Sequence, residues 1–117
     1  MFKEIKIGDK NVSLLANAST SIRYRMIFHK DLIAKMGGKL VADDVTDMAA
    51  ELAFVMAKTA EGADMNTLNI NSFFEWLGQF EVFDIANASE DIFNVYTGQE
   101  VTTSTAKKKQ SAKQNVN

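Results

Sequence analysis

At 117 residues, with 46% hydrophobic and 24% charged side chains, the chain fits one globular domain with enough apolar surface for its own core. The absence of cysteine excludes disulfides and thiolate metal sites, and a single histidine, His29, excludes any centre that needs two imidazoles. The formal charge of −2 is unevenly spread: residues 100–117 hold four lysines against one glutamate, leaving nine basic and fourteen acidic residues in the rest, a balance that disfavours a phosphate-backbone partner.

The first stretch, "FKEIKIGDKNVSLLA", alternates Ile5 and Ile7 with Glu4 and Lys6, then Val12 and Leu14 with Asn11 and Ser13. Gly8-Asp9-Lys10 supplies turn chemistry between them, so the segment predicts a β-hairpin. Two strands alone are marginal in water, and the hairpin must lie on an apolar surface.

In "NASTSIRYRMIFHKDLIAKMGG", Ser19, Thr20 or Ser21 can cap a helix and Gly37-Gly38 can end it. Tyr24, Ile27, Phe28 and Leu32 recur at helical spacing, flanked by Ile22, Met26 and Ile33, which predicts one amphipathic helix through His29. The next helix is the clearest. In "VADDVTDMAAELAFVMAKTAEG", Asp43, Asp44 and Asp47 fall in the first turns, where the helix dipole favours anions. Val45, Met48, Ala49, Leu52, Val55 and Met56 form a large-residue stripe, and Ala50, Ala53, Ala57 and Ala60 form a small-residue face that lets another helix approach closely.

The segment from residue 69 to 98 predicts two helices with a join around residues 79–89. Ser72-Phe73-Phe74-Glu75 matches the S-x-x-E capping box, and Ser89 offers a second cap. Phe73, Trp76, Leu77 and Phe80 share one stripe, and Gly98 stops the last run. The expected fold is therefore mainly α (α+β), a small N-terminal hairpin on about four helices, with a body over residues 1–99. Residues 100–117, "EVTTSTAKKKQSAKQNVN", carry too little apolar surface to offset the entropy of ordering and are expected to form a disordered Lys-rich tail. The absence of proline fits helices joined by Gly, Asn and Asp turns.

Catalytic chemistry finds no support. Asp43, Asp44, Asp47 and Glu51 lack the spacing of a calcium loop and suit an acidic helix start. His29 has no nucleophile to serve, and Gly37-Gly38-Lys39 lacks the rest of a phosphate loop. No enzyme activity, cofactor or metal is expected. Trp76, Phe80 and Phe83 could be imagined as a base-stacking platform, but at helical spacing on an acidic body they fit a core. No apolar run approaches the ~20 residues of a membrane span. The opening "MFKEIKIGDK" holds no apolar signal segment, so the expected location is the cytoplasm.

The segments "TSIRYRMIFHKDLI", "ELAFVMAK" and "FFEWLGQFEVFDIANASEDIFNVYTGQEVTTSTAKKK" resemble the tail assembly chaperones of long-tailed (siphovirus-type) bacteriophages, in particular those of Gram-positive phages and prophages. The resemblance runs over nearly the whole chain, and its most specific parts are "IRYRMIF" and "FDIANAS" with the Lys-rich end. "HKDL" stands where relatives are expected to read Gly-Lys-Asp-Leu, which makes His29 a helix substitution on this view. The resemblance implies a protein that binds the long helical tape measure protein in the host cytoplasm. It keeps that client soluble while tail tube subunits assemble around it, and it is absent from the mature virion.

It also implies two products, the longer made by a programmed −1 frameshift, whose extension recruits the tail tube protein. Ala106-Lys107-Lys108-Lys109 is compatible with a slippery A-AAA-AAG or A-AAA-AAA heptamer, so the codons of Lys107 and Lys108 are the candidate frameshift site. A merely solubilising basic tail is the plain alternative. The candidate partner-binding residues are the exposed members of Met26, Met48, Met56, Phe74 and Phe83, since Met and aromatic side chains suit surfaces that adapt to a partner helix. Homo-oligomers are expected, because many copies on one extended client gain from lateral contacts. The competing function is a small nucleic-acid accessory protein that uses residues 100–117 as an electrostatic arm.

Overall fold

The computed structural model describes residues 1–37 and 42–98. Expectations for Gly38 as a helix stop, for the boundary near residue 99, and for the tail with Lys107 and Lys108 lie outside the described residues.

The hairpin forms as the alternation requires. Strands β1 (Phe2–Ile7) and β2 (Lys10–Leu15) pair antiparallel, with Ile5 opposite Val12 and Ile7 opposite Lys10. The turn is therefore Gly8-Asp9 alone, with Lys10 already in the ladder. Gly8 holds φ at 65°, the left-handed entry that a two-residue hairpin turn places on glycine. Its missing side chain also serves packing: a Cβ there would fall 2.3 Å from Asp84 Oδ2. One face of the hairpin, Ile5, Ile7 and Leu14 with Val12 beside them, turns into the core.

The helices are α1 (Thr20–Phe28), α2 (Leu32–Gly37), α3 (Ala42–Glu61), α4 (Ile70–Leu77) and α5 (Asp84–Thr97), with a 3-10 turn at Met65–Thr67. The fold is thus mainly α with a small N-terminal hairpin, as expected. α3 is its axis. β2, α5, α1 and α4 all pack on it, while β1 rests on α5. Every residue from Met48 to Ala57 is buried, so both the large and the small face of α3 are covered. A helix apolar on all sides belongs in the middle of a domain.

Several local expectations are corrected. The single helix expected through His29 is broken there, because His29 adopts φ 60°, ψ 36° and ends α1, its N–H donating to Arg25 O at 2.8 Å. Asp31 then starts α2 by accepting from Ala34 N at 3.1 Å. Ser19 stands at the α1 N-cap, one of the positions expected, but its side chain makes no cap hydrogen bond, and Asn17 organises the turn before it. Asn17 Oδ1 accepts from Ser19 N at 2.8 Å, and Thr20 Oγ1 accepts from Asn17 N at 3.0 Å.

The capping box of α4 lies three residues earlier than Ser72–Glu75. Asn69 Oδ1 accepts from Ser72 N at 3.0 Å, and Ser72 Oγ accepts from Asn69 N at 2.8 Å. Ser89 is interior to α5 and donates to Ala86 O at 2.9 Å, so it caps nothing. The α4–α5 join is short, residues 78–83, and α3 and α5 end at Gly62 and Gly98, both with positive φ.

Candidate functional site

The five candidate residues separate by burial. Met48 and Met56 are 2% and 0% exposed, within the covered stretch of α3, so they are removed from the candidate surface and assigned to the core. Met26, Phe74 and Phe83 are 61%, 61% and 71% exposed. Each sits beside another exposed apolar residue: Ile22 precedes Met26 by one turn of α1, Ile70 precedes Phe74 by one turn of α4, and Val82 adjoins Phe83 at the α4–α5 join. Ile33 adds an exposed apolar side chain on α2. Positions four apart share a helix face, so α1 and α4 each present a short apolar strip outward while burying a second one.

The buried strips explain how these outer residues are held. Tyr24, Phe28, Phe54, Phe73 and Trp76 form a continuous chain of ring contacts from α1 through α3 to α4. Centroids lie 5.3 Å apart for Tyr24–Phe28, 5.0 Å for Phe28–Phe73, 5.4 Å for Phe54–Phe73 and 5.7 Å for Phe54–Trp76. Phe74 extends the chain to the surface, its ring 5.3 Å from Phe73. Trp76 is buried and stacks edge-on to the half-buried Phe80, so the imagined nucleic-acid platform of Trp76, Phe80 and Phe83 does not assemble.

Between α3 and α4 lies a cavity of about 240 Å³ lined by Asp47, Ala50, Glu51, Phe73, Phe74 and Leu77. Glu51 is 8% exposed. A carboxylate at that depth requires partners, and among the described residues it has two: the Tyr24 hydroxyl donates to Oε1, and Lys30 Nζ lies 2.8 Å from Oε2. Burial, then the Glu51 hydrogen bond, then the negative charges of Glu51 and Asp47 push the Tyr24 hydroxyl well above the ordinary tyrosine range. Lys30, directly after the α1 stop at His29, reaches Glu51 from the turn between α1 and α2.

This network and the exposed Ile70 and Val82 were missed by sequence reasoning. A usable signal existed for Glu51, a lone acid inside the apolar run "MAAELAFVMA". A second hollow of about 350 Å³ separates the hairpin turn from α5, lined by Lys6, Gly8, Asp84, Asn87 and Ala88. Its opposite charges, Lys6 and Asp84, balance each other.

Among the described residues, no group of three His, Cys, Asp or Glu side chains could hold a metal ion, and no helix is long and apolar enough to cross a membrane. The arrangement offers separate apolar strips on an acidic helical body and an acid-floored cavity beside one of them. In comparisons with known proteins, the chain matches no family model, no curated protein and no solved structure.

Proposed function

We propose that the chain is a tail assembly chaperone of a long-tailed bacteriophage, which holds the tape measure protein soluble in the host cytoplasm while tail tube subunits assemble around it. Beside the sequence resemblance, the observation that carries this reading is the exposure of Met26, Phe74 and Phe83, each with an apolar neighbour, on a body with a well-covered core. Strips of this kind accept the apolar face of an amphipathic helix, and several weak strips suit a long client better than one deep groove. The acidic body leaves apolar docking intact while repelling nucleic acid. Lateral contacts between copies, a frameshifted longer form, tail tube recruitment through its extension, and absence from the mature virion complete the proposal.

Co-expression with the tape measure product of the neighbouring gene tests it. The wild-type chain keeps that product in the soluble fraction and co-purifies with it. The triple variant Met26→Asp, Phe74→Asp, Phe83→Asp retains its helical spectrum and loses most of the soluble client. A client that is equally insoluble with and without the wild-type chain rejects the function, and a client held equally well by the triple variant rejects the surface. The messenger provides a separate check, since the absence of a slippery heptamer at the codons of Lys107 and Lys108 rejects the frameshift.

A further inference from the structure

We propose that the cavity between α3 and α4 is a socket for one basic side chain, lysine or arginine, projecting from the apolar face of a bound helix. The identity of the partner rests on the client-holding reading above; the chemistry of the socket does not.

The cavity has two kinds of wall. Phe73, Phe74, Leu77 and Ala50 give it an apolar side, and Asp47 and Glu51 give it two carboxylates. Lys30 neutralises one of those charges by sitting on Glu51 Oε2. The other carboxylate, Asp47, is exposed and has no ion pair among the described residues. An ionised carboxylate accepts roughly four hydrogen bonds, so Glu51, which receives one from Tyr24 and one from Lys30 among the described residues, can accept more.

The occupant that meets both walls has an aliphatic stem and a cationic head. Its methylenes lie along Phe73 and Leu77, as lysine and arginine stems do on apolar surfaces. Its head reaches Asp47 and Glu51 and can sit over the exposed Phe74 ring, an added cation–π attraction. The volume, roughly eight waters' worth, admits such a side chain. A purely apolar side chain would fill the space and offer Asp47 no counter-charge.

The test is a heteronuclear NMR titration of the full chain with n-butylammonium, the isolated head and stem of lysine, against n-butanol. Butylammonium shifts the amides of Asp47, Ala50 and Leu77 in a saturable way, and butanol is several-fold weaker. Asp47→Asn, whose circular dichroism should match the wild type, weakens the amine about threefold to fivefold, the scale of a partly exposed ion pair. Equal responses to amine and alcohol, or an amine response untouched in Asp47→Asn, overturn the socket, as does the absence of localised shifts with either compound.

A parallel arm separates this inference from the functional reading. Amine binding without any effect on tape measure solubility leaves the socket standing and removes its proposed client. Client capture by a protein that does not bind the amine keeps the chaperone and removes the socket.

Discussion

His29 holds the left-handed backbone that α1 needs to stop and turn, with φ at 60° on an exposed side chain. A residue with a Cβ incurs about 1–2 kcal/mol there, while glycine incurs ~0.5–1 kcal/mol in extra chain entropy. His29→Gly should therefore raise stability by about 0.5–1 kcal/mol, seen as a higher urea midpoint at unchanged slope; a lower midpoint would mean that the imidazole itself packs. His29 is the residue that ends α1, and not a substitution inside a helix. Tyr24 is the second residue with a measurable signature. Its folded-state pKa is raised above the ordinary 10.0, so the folded protein holds this proton more tightly than the unfolded chain. The stabilisation is whole below pH 10 and is lost progressively above it, at up to ~1.4 kcal/mol per pH unit. Tyr24→Phe should be less stable at pH 7, with Glu51 short of a donor, and should show a flatter decline above pH 10. Parallel curves for the two proteins would show that the hydroxyl does not titrate as its burial dictates.

At the scale of an element, α4 shows how a cap is chosen. The pattern Ser72-Phe73-Phe74-Glu75 has the right residue types, but Asn69 stands three before Ser72 and builds the same reciprocal pair one turn earlier. The earlier cap adds Ile70 to the helix and leaves Glu75 exposed on its side. Asn69→Ala should cost about 1 kcal/mol in thermal or urea unfolding, whereas Glu75→Ala should fall within ~0.5 kcal/mol of wild type. The reverse ranking would restore the later start. α1 and α2 teach a related lesson. Helical spacing persists across His29, yet a local stop signal and the Asp31 cap divide the run, and Lys30, in the turn between the two helices, pairs with Glu51.

At the scale of the whole molecule, the core is centred on one aromatic residue. Phe54 is fully buried and touches the rings of Phe28, Phe73 and Trp76, so it joins three helices. Phe54→Ala should cost about 3–5 kcal/mol and approach the limit of what a domain of this size withstands, as measured by denaturant melting. A loss below ~1 kcal/mol would mean that α4 can collapse onto α3 without it. The exposed residues Met26, Phe74 and Phe83 lie outside this buried set, so their aspartate variants test the proposed surface while leaving the core in place.

The amino-acid sequence by itself determined the hairpin, the acid-rich start and apolar length of α3, and the helix stops at Gly62 and Gly98, because alternation, periodicity and glycine turns are local properties of the chain. It could not rank Met26 above Met48 and Met56, since all three are methionines at helical spacing. Burial depends on which face a neighbouring element covers, and α3 is covered on every side while α1 is covered on one. The partner of Glu51 was equally out of reach of local rules. Tyr24 and Lys30 lie 27 and 21 residues away, and only the packing of α1 on α3, with the chain turned at His29, sets them around one carboxylate beside the cavity.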